Sequence, residues 1–246
     1  MESKKSIIRR SFLFCAFILS ISLGAATAEA VDLRAGGGGG FMIGTQWLEL
    51  DDLNRDLRTG GYDTFNESSL FYGGAGYGFI GERLVFGGEG GGFSQEASTG
   101  SYLQRLEGGY GLFTAGYVVF SRWGFNIFPQ VGLGWGGVSL RITERSVPTF
   151  DEILATPTRE SYLSTGNFMM QGALGIDYRL NLRVLEKTEG EGGLLFGVRF
   201  GYGYTFGESD WSMGEINVVD GPDVGINGFF IRFLIGGWGV EPVSGR

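Results

Sequence analysis

Glutamate and arginine side chains stand in the middle of segments that otherwise alternate large apolar residues with small ones: Glu89, Glu107, Arg199 and Arg232. The two-residue period of an extended strand places all four on the face that carries glycine and polar residues. Carboxylates and guanidinium groups form strong charge-assisted hydrogen bonds, and an unpaired charge that loses its water costs several kcal/mol. We therefore predict that the glutamates meet the arginines in an enclosed space. Three further residues are candidates to extend this ion-pair network: Arg105, Asp177 and Arg179.

Two interpretations of the network stay open. In the first, the ion pairs fill the enclosed space and hold the strands around it together. In the second, the pairs exchange partners and gate the passage of ions. We favour the structural plug, because the lumen of a small barrel is filled by side chains. The substitution Glu107→Ala is then expected to destabilise the protein by leaving an arginine unpaired.

The elements that position these charges are strands with one oily face. In 194–206 the even positions are Leu, Phe, Val, Phe, Tyr, Tyr and Phe, and the odd positions are Leu, Gly, Arg199, Gly, Gly and Thr. The segments 125–138, 169–180 and 229–235 alternate in the same way. With four weaker segments added, the predicted strands lie at about 35–47, 69–80, 83–94, 101–120, 124–142, 165–180, 192–206 and 226–239.

The face of these strands opposite the oily one indicates whether the barrel is surrounded by water or by lipid. A soluble barrel or sandwich buries the oily face and needs a polar outer face, but here that face is mostly glycine. A membrane barrel turns aromatic and aliphatic residues toward lipid, and 47 glycines suit a narrow lumen. The alternation therefore favours an eight-stranded antiparallel up-and-down transmembrane β-barrel, and a soluble exported β-barrel or sandwich is the structural alternative.

The connections between the predicted strands alternate in length. Tight turns are expected at 79–83 and 121–124, with a longer charged one at 181–191. Longer connections are expected at 48–68, 94–101, 143–164 and 207–225. Outer-membrane barrels have short periplasmic turns and long extracellular loops, which matches this order.

The first thirty residues read as a secretory signal peptide. Basic residues at its start precede an apolar core over 12–23, and Ala28-Glu29-Ala30 offers a cleavage site. Residues 31–246 are then a single outer-membrane β-barrel domain. The only cysteine, Cys15, lies within the signal segment, so no disulfide is expected after cleavage.

Composition narrows the function classes. The chain has no histidine, which removes the usual nucleophile–base pairs and imidazole metal ligands, so we expect no enzyme, catalytic site, cofactor or metal site.

The net charge is −8, and it is −10 without the signal segment, which carries four basic and two acidic residues. An acidic protein is a poor partner for nucleic acid. Acidic loops offer oxygen ligands for calcium, but without ligand spacing we interpret them as solvated loops: Glu49, Asp51, Asp52, Asp56, Asp63, Glu208, Asp210, Glu215, Asp220 and Asp223.

Aromatic residues are expected to form two girdles at the membrane interfaces. On the loop side they are Trp47, Trp135, Tyr204, Phe206 and Trp211, and on the turn side Trp123, Phe125 and Tyr178.

With its signal peptide, its alternation over 194–206 and 229–235 and its sorted turns, the chain resembles the small bacterial outer-membrane β-barrels. These are the transmembrane domain of outer membrane protein A and the opacity and outer membrane protein W types. The resemblance is architectural, without a diagnostic motif. It implies a place in the bacterial outer membrane, with outer-membrane lipid and the barrel assembly machinery as partners. An inward Glu/Arg network is common in this group, which suits Glu89, Glu107, Arg199 and Arg232.

The expected function is a structural or surface-contact role, exerted through the long extracellular loops on an unknown extracellular ligand. The alternative is a narrow channel or transporter for small solutes, apolar ones included.

Overall fold

The computed structural model describes residues 35–81, 83–146, 148–155, 160–182, 191–207 and 209–241. The predicted signal segment 1–30 lies outside these residues. The strands are β1 (Ala35–Trp47), β2 (Ser68–Ile80), β3 (Leu84–Thr99), β4 (Tyr102–Tyr117), β5 (Phe120–Arg122), β6 (Phe125–Glu144), β7 (Glu160–Asn181), β8 (Glu191–Thr205), β9 (Trp211–Met213), β10 (Ile216–Val218) and β11 (Gly228–Glu241). Two short helices are α1 (Asp51–Thr59) and α2 (Phe150–Ala155). Within the described residues, no helix is long and apolar enough to cross a membrane.

The eight long strands form a closed antiparallel barrel, which confirms the predicted architecture. Each long strand pairs with the next along the chain, and β11 returns to pair with β1. Cross-strand partners followed once around the barrel from Phe168 lead back to β7 at Tyr178, ten residues further along. A stagger of that size in eight strands corresponds to a strand tilt of roughly 35–45°.

The outer surface of the barrel is oily. Phe113, Trp135 and Phe229 expose 63%, 69% and 66% of their surface, all on outward positions of their strands. Arg199 and Arg232, in contrast, point inward and are buried. A belt of exposed aromatic and aliphatic side chains around a closed barrel requires lipid, so the soluble alternative is wrong. The chain is an integral barrel of the bacterial outer membrane.

The two ends of the barrel differ, as the sorted connections predict. We call the end with the short connections the turn end. The hairpin of β5 and β6 turns there through Trp123 and Gly124, both with positive φ angles of 52° and 83°, as a tight two-residue hairpin turn requires. The other end, here the loop end, carries α1, α2 and the β9–β10 hairpin.

Several connections differ from the sequence-based expectation. β3 continues to Thr99 and β4 begins at Tyr102. The connection expected at 94–101 is therefore only a two-residue turn. β7 begins at Glu160, earlier than expected. β4 ends at Tyr117, because the next residue, Val118, turns inward and packs on Phe128 before β5 resumes the pairing. The strands stay hydrogen-bonded beyond the membrane, because buried backbone N–H and C=O groups need hydrogen-bond partners there as well.

Above the loop-side girdle the pattern of the barrel reverses. Trp135 and Phe168 are paired and contact each other on the outer face. Toward the loop end from this pair, large apolar residues such as Leu106 and Leu140 point inward, and charged residues such as Arg141 lie outside. The barrel is therefore built for lipid along one part of its strands and for water along the next.

Candidate functional site in the barrel lumen

One buried ion pair joins β3 and β11 across the lumen. Arg232 Nη1 lies 2.9 Å from Glu89 Oε1, and the two side chains are 0% and 3% exposed. Gln171 donates to the same carboxylate at 2.7 Å and accepts from Arg232 at 3.0 Å. Gln46 accepts from Arg232 Nη2 at 2.8 Å, and the Tyr110 hydroxyl donates to Glu89 at 3.2 Å. These polar partners replace the water that both charges lose on burial.

Aromatic rings surround the Arg232 guanidinium group. Its central carbon lies 3.7 Å from the Phe230 ring centre, 4.5 Å from that of Phe71 and 4.9 Å from that of Tyr110. The rings of Phe71 and Tyr110 are themselves stacked, with centres 5.3 Å apart. Cation–π contacts of this kind stabilise a desolvated guanidinium further.

A second buried pair lies closer to the turn end. Arg199 contacts both oxygens of Asp177, at 2.5 and 3.2 Å, and the side chains are 2% and 1% exposed. The Tyr77 hydroxyl donates to Asp177 Oδ2. The Arg199 guanidinium carbon lies 4.7 Å from the Phe128 ring centre. Gly197 leaves the room for this pair, because a Cβ there would stand 2.5 Å from Asp177 Oδ1.

The structure therefore brings Glu89, Asp177, Arg199 and Arg232 into the lumen. The two arginines are direct cross-strand partners, so the two ion pairs form adjacent layers. Arg179 also faces inward, at the turn end, between the rings of Phe79 and Trp238.

Glu107 and Arg105 do not join this network, which corrects the sequence-based placement. Their side chains are 45% and 39% exposed on the outer surface, where Arg105 donates to Glu96. On β4 the even-numbered positions point inward, and Leu106 is fully buried. The glycines at 108 and 109 hide this phase in the sequence, and the two charges lie where the outer surface meets water.

Sequence reasoning missed the neutral partners of the ion pairs: Gln46, Tyr77, Tyr110 and Gln171. Each occupies an inward position. The sequence does contain a signal for these partners, namely single amide or phenol side chains on a glycine-rich strand face. Such a side chain, when buried, needs a polar partner, which indicates a position in the lumen.

An apolar core closes the loop end of the lumen. Side chains from the strands meet side chains from α1 and from the connection between β8 and β11. Its buried members include Leu50, Leu53, Phe93, Leu106, Met169, Trp211 and Ile226. Trp211, expected in the girdle, is instead 3% exposed in this core, with its indole nitrogen 2.7 Å from the Pro222 carbonyl oxygen.

The acidic loops gather no metal-type cluster in the described part of the chain, where no three carboxylate, imidazole or thiol groups stand together as ligands. Glu208 lies outside the described residues. Several loop carboxylates instead accept hydrogen bonds from their neighbours, as Asp52 does from Arg55 and Asp223 from Ser209.

Comparison with known proteins gives similarity of fold. No protein-family model matches the chain, and no curated protein matches its sequence. Among solved structures, the chain is similar to the outer membrane protein OprG from Pseudomonas aeruginosa, at 13% identity and a TM-score of 0.39, over 85% of this chain and 96% of that one. It is also similar to the outer membrane protease OmpT from Escherichia coli, at 10% identity and a TM-score of 0.33, over 88% of this chain and 98% of that one.

The similarity to OmpT overturns one expectation. From the lack of histidine we expected that the chain is not an enzyme. One of the outer-membrane barrels to which its structure is similar is, however, a protease. The exclusion of enzymes is therefore withdrawn. At 10% identity the similarity concerns the fold, and no proteolytic residue is transferred to this chain.

Proposed function

We propose that this protein is a closed outer-membrane barrel that acts through its loop-end surface, in envelope structure or in contact with an extracellular partner. The observation that carries the proposal is the filled lumen. Two layers of ion pairs, each at most 3% exposed, occupy its middle, and an apolar core lies above them. A lumen packed in this way is suited to hold the barrel rigid rather than to pass solute.

The loop end supports a role in contact because it is folded. Helix α1 buries Leu53 and Leu57 against the core, and Asn54 bonds both backbone groups of Phe65 at 2.9 and 3.0 Å. A disordered loop would present no fixed surface, whereas these contacts hold the loop in one shape. Fixed loops on a rigid barrel are a common way to present binding residues.

The loop tips also expose apolar residues where the barrel has left the lipid. Phe150 and Leu154 lie on α2, and Ile216 and Val219 lie at the β9–β10 hairpin. Exposed apolar residues grouped away from the membrane indicate a surface that meets a partner. We therefore assign the proposed contact to these tips.

Ion conductance tests the closed lumen. The full-length protein is folded into lipid vesicles, and a gel shift on heating measures the folded fraction. We expect no conductance steps in planar bilayers fused with these vesicles, because charged and apolar side chains fill the lumen. Reproducible steps that scale with the folded fraction would contradict a closed barrel and support the narrow channel.

A further inference from the structure

The turn end of the barrel holds a cavity of about 810 Å³ that opens outward. The connection between β4 and β6, residues 118–124, forms one side of it. The turn-end residues of β2, β7 and β11 form the floor and the other walls, with Phe79, Arg179 and Trp238 among them. This cavity, here called the mouth, lies at the opposite end of the lumen from the apolar core.

Arg179 is the innermost cation of the mouth. Its guanidinium carbon lies 5.4 Å from the Phe79 ring centre and 5.4 Å from the Trp238 ring centre. The Trp238 indole nitrogen donates to the Leu180 carbonyl oxygen at 3.3 Å, which fixes that ring beside the arginine. Arg179 itself is only partly buried and lines the cavity.

No carboxylate among the described residues forms an ion pair with Arg179. Asp177, two residues away on the same face, is already bound by Arg199 and Tyr77. A half-buried cation in this position costs desolvation energy that a bound anion would offset.

The lining of the mouth is cationic in a chain whose net charge is −8. Arg83, Arg122 and Arg179 line it, against the single carboxylate of Glu191 among the described lining residues. Arg83 donates to the Tyr117 hydroxyl at 3.2 Å, and Arg122 lies 5.2 Å from the Trp123 ring centre. Arg122 thus places a positive charge at the entrance, in addition to that of Arg179 at the floor.

We propose that the mouth binds an organic anion, a carboxylate or phosphate attached to a flat apolar body, with Arg179 as its anchor. A guanidinium group offers paired donors that match both oxygens of such an anion. Phe79 and Trp238 supply flat apolar walls beside those donors. A volume of about 810 Å³ falls within the range of small-molecule sites. The site is independent of the proposed surface contact, since it lies at the other end of the barrel.

The test uses the full-length protein folded in detergent micelles and 4-nitrobenzoate as the probe, since its ring quenches tryptophan fluorescence. We expect saturable quenching, and at least tenfold weaker binding of the uncharged 4-nitrobenzyl alcohol. Arg179→Gln removes the charge and leaves a shorter, neutral amide, and it is expected to weaken 4-nitrobenzoate binding at least tenfold. Arg58→Gln, on the exposed face of α1, is the matched control and should bind like the wild type.

A second variant locates the binding. Trp238→Phe keeps an aromatic wall but removes the nearest reporter, so the dissociation constant should stay similar while the quenching amplitude falls. The heat-induced gel shift confirms that each variant is folded. Equal affinity of the acid and the alcohol, unchanged binding by Arg179→Gln, or an unchanged amplitude in Trp238→Phe would each overturn the proposal.

Discussion

Each carboxylate in the lumen has more than an arginine as a partner. Glu89 accepts hydrogen bonds from Arg232, Gln171 and Tyr110, and Asp177 accepts from Arg199 and from a tyrosine hydroxyl. A buried ion pair recovers its desolvation cost only when the remaining lone pairs are also satisfied. The neutral partners are therefore as much a part of the lumen as the charges.

At this scale we predict that Glu89→Ala destabilises the barrel while Glu107→Ala does not. Removing Glu89 leaves Arg232 buried without its carboxylate, which costs about 3–5 kcal/mol of unfolding free energy. Glu107 is exposed and its closest approach to Arg105 is 3.9 Å, so its loss should cost only about 0–1 kcal/mol. Urea unfolding of both variants in the same micelles measures the difference.

The two variants are matched, because each removes one glutamate, Glu89 from β3 and Glu107 from the neighbouring β4. Equal destabilisation by both would mean that the outer charge carries as much energy as the inner one. That result would contradict the conclusion that the buried pair, rather than Glu107, stabilises the barrel.

At the scale of elements, faces could be assigned from sequence for the strand segments that lie within the lipid belt. β8 and β11 alternate aromatic residues with glycine or arginine, so the inward positions of Arg199 and Arg232 follow from the two-residue period. β4 crosses from lipid to water. Its even-numbered residues point inward throughout, and its outward residues change from Phe113 to Glu107. The rule that polar residues face the lumen and apolar residues face outward therefore fails for the part of such a strand that lies in water.

The folded loop end could not be predicted from strand periodicity. Leu50, Leu53 and Leu57 have the spacing of a helix face, but nine residues of α1 are too few to be stable without the barrel core beneath them. The burial of Trp211 likewise depends on Pro222, which lies eleven residues away on the same connection. Such contacts are set by tertiary packing, which the order of residues shows only indirectly.

Helix α2 offers a test of the contact surface at this scale. Phe150 and Leu154 are exposed on one short helix beyond the membrane, and we predict that Phe150→Ser/Leu154→Ser lowers the adhesion of cells displaying the protein to hexadecane droplets. Removing two exposed apolar side chains lowers the area available for contact. Asp151→Asn on the same helix keeps the apolar residues and is the control. Unchanged adhesion by the double variant, at equal surface amounts of folded protein, would remove α2 from the contact surface.

At the scale of the whole molecule, the outer surface is divided into a lipid belt and a charged collar above it. Phe113 and Leu133 are paired in the belt, and Glu107 and Ser139 are paired in the collar. The outward residues of these two strands are therefore apolar in the belt and polar six residues nearer the loop end. The boundary lies near Trp135, whose indole ring is exposed at the interface between the two.

This division predicts a depth-dependent cost for an outward arginine. Phe113→Arg places a charge within the lipid belt and should lower the unfolding free energy in lipid vesicles by about 2–4 kcal/mol. Ser139→Arg, on the neighbouring strand but in the collar, should change it by about 0–1 kcal/mol, because that position meets water. The same pair in micelles of a short detergent should differ less, since a thin micelle lets the charge reach water. If both variants were equally tolerated in vesicles, the belt at Phe113 would not be embedded in lipid, and the membrane boundary near Trp135 would have to be moved.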